Sequence, residues 1–280
     1  MTTRNILITG CSTGIGRCLA LGLRQRGYRV FATVRQARDV AALEADGLES
    51  FVLDLDSSDS IRAGAAETLR RSGGRLDALI NNGGYGQPGA VEDLSREALR
   101  AQFETIVFGW QELTNLLLPT FRAQGGGRIV QISSVLGYSS IPFRGAYIAA
   151  KHAVEALADT MRLELRGTGI EVALIEPGPI TSRFRANAQR AFERHIDTAR
   201  SVHREYYARV RSRLGGTKPL PFTLPPEAVL AKVIHALEAR RPRPRYPVTV
   251  PAHLFWWLRR VLGTRTLDRL MLAISGGGKR

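Results

Sequence analysis

The sequence predicts an α/β fold in which a doubly wound, mostly parallel sheet of seven strands lies between two layers of helices, followed by a helical C-terminal extension. Short β-type runs alternate with helical segments along residues 5–182, a pattern typical of this class. The links are short, which favours right-handed crossovers between parallel strands. A glycine-rich turn at residues 9–16 joins the first strand to the first helix.

Seven segments have the apolar composition of strands that are buried on both faces of a sheet. In chain order, they are residues 5–9, 28–34, 50–55, 77–82, 128–134, 170–179 and 245–250. Ligands of a doubly wound sheet bind at the carboxyl ends of its strands. The residues that directly follow these segments are therefore the first candidates for function.

The intervening segments have helical periodicity and recognisable ends. Ile15, Leu19 and Leu23 share one face of the first helix, and Gly27 ends it. The other predicted helices are residues 57–74, 95–127, a segment that carries Tyr147 and Lys151 and runs to about Arg166, 226–241, and one helix or a pair over 253–274. We expect a single domain over residues 1–280.

The charge of the chain is unevenly distributed. Residues 1–182 contain 19 Lys and Arg and 19 Asp and Glu, whereas residues 183–280 contain 21 and 6, so the net charge of +15 lies in the last third. Such a segment can attract acidic lipid surfaces, nucleic acid or anionic ligands. Because it contains no recognisable nucleic-acid-binding motif, we expect no nucleic-acid partner.

Composition also predicts the compartment. No segment has the ~20 uninterrupted apolar residues of a membrane span, and the N-terminus lacks the layout of a signal peptide. The two cysteines, Cys11 and Cys18, fit a reducing environment. No Cys/His cluster has zinc spacing, so we expect no metal. These observations predict a cytoplasmic protein.

The turn T-G-C-S-T-G-I-G is a candidate cofactor loop. Gly10, Gly14 and Gly16 follow a strand and open a helix, where glycines permit a tight turn and let backbone N–H groups approach a pyrophosphate. Enzymes that select NAD often carry an acidic residue about 20 residues beyond such glycines. Arg35 stands there instead, and an arginine fork suits a 2′-phosphate, so we expect NADP(H) rather than NAD(H).

Further motifs follow in order. They are Asp54-Leu55, Asn81-Asn82-Gly83-Gly84, Ser134 placed 13 residues before Tyr147, Tyr147-x-x-x-Lys151, and Pro177-Gly178. Together with the glycine loop, these motifs resemble the short-chain dehydrogenase/reductase family over roughly residues 4–182 and 226–250. The resemblance implies a Rossmann fold and hydride transfer between nicotinamide and a carbonyl or alcohol carbon.

The resemblance assigns roles to three catalytic residues. Tyr147 would be the general acid or base, Ser134 would hydrogen-bond the substrate oxygen, and Lys151 would hold the nicotinamide ribose and bring the pKa of Tyr147 nearer working pH. The expected cofactor contacts are Gly10, Ser12, Thr13, Gly14, Ile15, Gly16, Arg35, Asp54, Leu55, Asn81, Gly83, Tyr147, Lys151, Pro177, Gly178 and Ile180.

One residue departs from the family pattern. The long helix of the family usually carries a catalytic asparagine in F-x-x-N-x-x-G, and Ile106 holds that position in the stretch 103–109. Three interpretations remain open: the enzyme works as a triad, it is slowed, or it keeps the cofactor for another purpose. The last interpretation makes a catalytically weak NADP(H)-binding sensor or interaction protein the alternative function.

The resemblance is greatest to the branch that contains hydroxysteroid and retinol dehydrogenases and bacterial aldehyde reductases, which implies a small hydrophobic carbonyl or alcohol substrate. Residues 183–222 are expected to form a substrate lid whose aromatic residues could line the pocket. Its arginines could bind an acidic group or face water. The aromatic residues are Phe184, Phe192, Tyr206, Tyr207 and Phe222.

The C-terminal segment 252–280 is basic and amphipathic, and it contains paired tryptophans. Two interpretations remain open for this segment. It could lie at the inner face of a membrane as a peripheral contact, or it could cover the pocket or a subunit interface. The family resemblance also implies a homodimer or homotetramer that forms through two long helices.

Overall fold

The computed structural model describes residues 4–215 and 220–275, with the backbone alone for 210–215. It confirms the doubly wound fold. A seven-stranded sheet has the order β3-β2-β1-β4-β5-β6-β7, and every neighbouring pair of strands is parallel. The strands are β1 Asn5–Ile8, β2 Arg29–Val34, β3 Glu49–Val52, β4 Ala78–Asn81, β5 Gly127–Ile132, β6 Ile170–Glu176 and β7 Arg245–Pro247.

Helices cover both faces of the sheet. They are α1 Gly14–Gln25, α2 Val40–Ala45, α3 Ser58–Ser72, α4 Arg96–Phe103, α5 Gly109–Ala123, α6 Gly145–Glu164, α7 Phe184–His195, α8 Arg204–Gly215, α9 Glu227–Glu238, α10 Val250–Val261 and α11 Thr264–Ile274. Helices α3, α5 and α6 pack on one face, while α1, α2 and α9 pack on the other. The short helix α2 has no counterpart among the predicted helices.

The central strands explain why the predicted β-type runs are continuously apolar. In β1, Leu7 points into the core under α3, α5 and α6, whereas Ile6 and Ile8 point into the core under α1 and α9. Successive side chains of a strand point to opposite faces, so a strand between two helical layers has no polar face.

The strand order reverses beside β1. The chain builds β1, β2 and β3 outward in one direction and then returns to place β4 on the other side of β1. A crevice forms at such a switch point, outside the carboxyl ends of the two strands. The turn 9–16 and the segment 82–85 follow β1 and β4, so both lie at this crevice.

Two predicted elements differ in detail from the structure. The long helix predicted over 95–127 is interrupted by a π-helical turn, Glu104–Phe108, between α4 and α5. The strand predicted over 245–250 ends at Pro247, because Thr249 caps α10 by accepting a hydrogen bond from the backbone N–H of Ala252 at 3.4 Å.

The segment 183–222 contains α7 and α8, which form a small separate core together with Ala90, Leu94 and Phe143. Phe192 and Tyr207 are buried there with Ile196, and the Tyr207 hydroxyl accepts a hydrogen bond from the backbone N–H of Ala90 at 2.8 Å. The expectation that Phe192 and Tyr207 line the substrate pocket is therefore wrong, because both rings pack inside this core. Residues 216–219 of the predicted lid lie outside the described residues.

The C-terminal extension is a pair of helices, α10 and α11, as one of the two sequence interpretations held. Gly263 separates the two helices with an extended backbone conformation. Residues 276–280 of the predicted extension lie outside the described part of the chain.

Candidate active site

The glycine loop requires glycine for two separate physical reasons. Gly10 and Gly14 have φ angles of +71° and +60°, in the left-handed region that glycine adopts without strain. A Cβ atom at Gly16 would stand 2.2 Å from the carbonyl oxygen of Gly10. The loop is therefore folded too tightly for side chains at these positions, as the sequence analysis expected.

The loop ends at the N-terminus of α1. Thr13 has an extended backbone at the cap position, its side chain does not cap the helix, and no acidic residue stands in the first turn. The first N–H groups of a helix carry partial positive charge and need an acceptor. A cofactor pyrophosphate fits this cradle, which is formed by Ser12, Thr13, Gly14 and Ile15.

The ends of β1 and β4 are joined by side-chain hydrogen bonds. The hydroxyl of Thr9 accepts from the backbone N–H groups of Asn82 and Gly83, both at 3.0 Å, and the Asn82 amide donates to the Thr9 carbonyl at 2.9 Å. Asn81 points its side chain into the core, where the amide donates to the Thr114 hydroxyl at 3.0 Å. A cofactor contact from Asn81 would therefore use its backbone.

Arg35 is exposed directly after β2, at the position where a 2′-phosphate would be recognised. Its neighbour across the crevice is Asp56. Burial raises the pKa of the Asp56 carboxyl, while the hydrogen bond from Thr105 and the positive charge of Arg35 oppose that rise. Asp54 and Leu55 follow β3 on the same side, and the Leu55 side chain contacts the Gly83 backbone.

The catalytic candidates Ser134, Tyr147 and Lys151 are buried and lie together. Ser134 follows β5, and its hydroxyl accepts a hydrogen bond from the backbone N–H of Leu136 at 3.1 Å. Tyr147 and Lys151 stand one turn apart on α6, and the Ser134 hydroxyl, which donates to the Pro177 carbonyl at 3.5 Å, acts on the phenol to lower its pKa. The structure thus brings the three predicted catalytic residues into one site.

Burial sets the acidity of both titratable groups. It raises the pKa of Tyr147 to about 12, although the hydrogen bond with Ser134 acts in the opposite direction. Burial also lowers the pKa of Lys151 to about 7, and the charge of Glu155 opposes that change. The expectation that Lys151 and oxidised nicotinamide together bring the pKa of the phenol nearer working pH stays a prediction, and within the protein itself desolvation sets the direction for Tyr147.

Lys151 has two neighbours besides Tyr147. Its ammonium donates a hydrogen bond to the Ile132 carbonyl at 2.7 Å and lies 4.2 Å from the centroid of the Trp110 ring. The Trp110 indole N–H in turn donates to the Gly83 carbonyl at 2.8 Å. Sequence reasoning missed Trp110, although a tryptophan one helical turn beyond Ile106 in the motif helix was a visible signal.

Ile106 is buried in the π-helical turn and contacts Gly84 with its side chain. It offers Lys151 no polar atom. The amine instead faces the π surface of Trp110, which can stabilise a positive charge. The chain therefore places an aromatic ring against Lys151 in the helix where the family usually carries asparagine.

A charged cluster lies behind α6, and it was not predicted from the sequence. Arg245 on β7 pairs with Glu155 and Asp159 of α6 and with Glu176 of β6, the last at 2.6 Å. The Ser133 hydroxyl donates to Glu155. This network ties α6 to the end of the sheet and places the negative charge of Glu155 one turn beyond Lys151.

The loop after β6 closes the other side of the site. The Pro177 carbonyl accepts from the backbone N–H of Val135 at 2.8 Å. A Cβ atom at Gly178 would stand 2.1 Å from the Thr249 hydroxyl, so this position has no room for a side chain. Ile180 pairs with Leu224 in a parallel bridge, which holds the loop next to the segment before α9.

The first residue of α7 covers Tyr147. The Phe184 ring meets the Tyr147 ring edge to face, with 5.4 Å between centroids. A Cβ atom at Gly86 would stand 2.8 Å from Phe184, so glycine admits the ring. Among the aromatic residues predicted to line the pocket, Phe184 is the one that the structure places against Tyr147.

Lys151→Met is expected to stabilise the fold at neutral pH, because burial of the amine lowers its pKa from 10.5 to about 7. Between those values the unfolded wild type binds a proton that the folded wild type lacks, so wild-type stability rises with pH. The advantage of the variant should shrink by up to about 1.4 kcal/mol per pH unit in that window. Urea unfolding of both proteins at two pH values inside it measures this change, and a pH-independent advantage would contradict the assignment.

The chain is similar to known proteins over nearly its full length. A sequence model described as short chain dehydrogenase matches residues 4–192. The uncharacterized oxidoreductase YbbO of Escherichia coli K12 is 39% identical over 269 residues, covering 96% of this chain and 94% of that protein. An NADPH-dependent 3-dehydrocapnine reductase of Ornithobacterium rhinotracheale is 32% identical, covering 95% of each chain. The crystal structure of a short-chain dehydrogenase from Streptomyces avermitilis superposes with a TM-score of 0.74 at 28% identity, covering 98% of this chain and 96% of that one.

Proposed function

This chain belongs to the short-chain dehydrogenase/reductase family, and from that premise we propose that it is an NADP(H)-dependent oxidoreductase. It would interconvert a hydrophobic aldehyde or ketone and the corresponding alcohol. The observation that carries the proposal is the buried arrangement of Ser134, Tyr147 and Lys151 at the carboxyl ends of the strands. When bound, the cofactor supplies or accepts the hydride.

The choice of NADP(H) rests on Arg35. It is exposed at the end of β2, where a guanidinium fork could bind a 2′-phosphate, and no acidic residue stands in the stretch 33–36. The relative from Ornithobacterium rhinotracheale is an NADPH-dependent reductase by name, which supports the same choice.

Tyr147 acts as the general acid in reduction and as the general base in oxidation. Its high pKa in the buried site keeps the phenol protonated at neutral pH, so it can donate a proton to a carbonyl oxygen that gains negative charge. Ser134 lies in the same site and would donate its hydroxyl proton in a hydrogen bond to the same substrate oxygen.

When it is protonated, below its pKa of about 7, Lys151 holds positive charge beside the phenol, and it would bind the nicotinamide ribose hydroxyls. Its ammonium donates one N–H to the Ile132 carbonyl, and another side of the ammonium faces the Trp110 ring. These two contacts restrict where its remaining donors point. Trp110 is therefore a positioning residue for Lys151. This arrangement supports the interpretation that the enzyme works as a triad despite Ile106.

Trp110→Leu is expected to lower kcat about tenfold and to move the alkaline limb of the pH profile to lower pH by about one unit, because a buried cation–π contact stabilises the ammonium by about 1–2 kcal/mol. Trp110→Phe keeps an aromatic face and should recover most of the activity and the wild-type profile. Steady-state kinetics across pH measure both effects. Identical pH profiles in all three proteins would mean that Trp110 only packs.

The proposed substrate is hydrophobic because apolar side chains pack around the ring of Tyr147. Phe184 covers this ring, and Tyr147 also belongs to the main hydrophobic core. Such a pocket favours substrates with an apolar body and one polar group at the reacting end. Long-chain aldehydes, retinal and steroid ketones are the classes to test.

Turnover tests the proposal directly. We expect the purified protein to oxidise NADPH at 340 nm in the presence of at least one hydrophobic carbonyl, and to use NADH less efficiently. Tight NADPH binding without turnover across long-chain aldehydes, retinal and steroid ketones would count against the enzyme and favour the cofactor-binding sensor.

We also propose a homodimer or homotetramer that forms through α5 and α6. Leu116 on α5 and Leu157 and Leu163 on α6 are exposed leucines that a second subunit could cover. Size-exclusion chromatography with light scattering measures the assembly.

We propose a cytoplasmic location because the two cysteines are both free in the structure, which fits a reducing compartment.

A further inference from the structure

An apolar stripe runs along the outer face of α10. It consists of Val250, Leu254, Trp257 and Val261, whose spacings of four, three and four residues place them on one side of a helix. Their exposed fractions are 60%, 49%, 62% and 68%. A continuous exposed apolar surface of this kind usually marks a site that binds a protein, a ligand or a membrane.

The opposite face of α10 is anchored to the body of the protein. Ala252 is fully buried, and its carbonyl accepts a hydrogen bond from the Tyr138 hydroxyl at 2.7 Å. The Arg259 guanidinium donates to the Tyr138 carbonyl at 2.8 Å. Because these contacts fix the inner face of the helix, the apolar stripe of α10 points away from the protein.

Basic residues accompany the stripe. Residues 250–274 contain a single acidic residue, Asp268, and four arginines, of which Arg259 is held on the inner face of α10. Arg260 flanks the stripe, and its guanidinium lies 3.4 Å from the centroid of the Trp256 ring. On α11, Leu272 and Ile274 are also exposed, so apolar and basic groups continue beyond α10.

We propose that the apolar stripe of α10 docks on an anionic lipid bilayer, with the helix lying in the plane of the interface. Tryptophan prefers the headgroup level, and arginines beside it attract acidic lipids. A second copy of this chain fits less well, because a symmetric contact would bring the arginines of two α10–α11 pairs together. None of the helices within residues 4–215 and 220–275 has the length and apolar composition that a bilayer crossing requires.

Docking would also orient the catalytic site. Tyr138, the anchor of α10, follows Ser134 by four residues, so the docked helix lies at the rim of that site. A substrate dissolved in the bilayer would then reach Tyr147 from the lipid side. This consequence rests on the proposed oxidoreductase function, whereas the docking itself does not.

Vesicle flotation tests the docking. The probes are vesicles of phosphatidylcholine alone and of phosphatidylcholine mixed with phosphatidylglycerol, each at low and high salt. We expect the wild type to float with the anionic vesicles at low salt and to float less without phosphatidylglycerol or at high salt. Leu254→Ser combined with Trp257→Ser should reduce the bound fraction by about tenfold or more.

Val52→Ser is the matched control, since Val52 is an exposed apolar residue on β3, at the opposite edge of the sheet from β7 and α10. It should float like the wild type. The proposal is overturned if the wild type does not float with anionic vesicles, or if the double variant floats as well as the wild type. Conversion of an oligomer to a monomer by the double variant, with flotation unchanged, would assign the stripe to a second copy.

Turnover of a water-soluble aldehyde separates this proposal from the proposed function. The double variant should keep wild-type turnover in solution, because Leu254 and Trp257 are exposed on the outer face of α10. Flotation of a wild type that shows no turnover with any carbonyl would support the docking and reject the enzyme. Turnover by a wild type that does not float would support the enzyme and reject the docking.

Discussion

Tyr147→Phe should lower the rate of carbonyl reduction by about 10²–10⁴-fold, the range that general acid catalysis contributes, while leaving NADPH binding nearly unchanged. The variant loses one oxygen atom in a buried site and keeps the ring that packs against Phe184. The substrate oxygen then gains negative charge with no proton donor at the required position. Ser134 can still offer a hydrogen bond, so residual activity above the uncatalysed rate is expected.

Single-turnover kinetics with NADPH, together with NADPH titration by fluorescence, measure the two effects separately. Tyr28→Phe is the control, because Tyr28 is also a buried tyrosine whose hydroxyl bonds a polar neighbour, here Glu238 at 2.9 Å, but it lies outside the catalytic site. That variant should keep wild-type activity. Full activity of Tyr147→Phe would remove Tyr147 from the mechanism, and a loss of NADPH binding would indicate a structural role instead.

Arg35→Ala should weaken NADPH binding by about 10–100-fold, because it removes charge-assisted hydrogen bonds to the 2′-phosphate. NADH lacks that phosphate, so its affinity should change little. The side chain is exposed at the end of β2, and its removal should leave the sheet intact. The preference for NADPH over NADH would then largely disappear.

Dissociation constants for both cofactors, measured for the wild type and the variant, test this prediction. Arg70→Ala is a suitable control, since Arg70 is an exposed arginine on α3 that pairs with Glu67 within its own helix. It removes one positive charge from the surface without touching the crevice. Equal weakening of NADPH and NADH by Arg35→Ala would rule out a 2′-phosphate contact.

The sequence by itself determined the order and type of the central elements. Apolar runs such as residues 5–9 are typical of strands between two helical layers, and the period of the helices is visible in Ile15, Leu19 and Leu23. The sequence also identified the motif residues that come together in the site. Spacing along a helix fixes which side chains share a face, and Tyr147 and Lys151 share one for this reason.

Tertiary structure alone decided how those residues behave. The direction in which the pKa of Tyr147 changes depends on how deeply the phenol is buried, which no local pattern reports. The contact of Trp110 with Lys151 joins side chains that are far apart in the sequence. Phe192 and Phe184 lie on one helix and are both aromatic, yet the first packs in a separate core and the second covers the catalytic tyrosine. Burial and long-range contacts depend on how whole helices and strands pack together. They could therefore be determined from the fold but not from the sequence motifs.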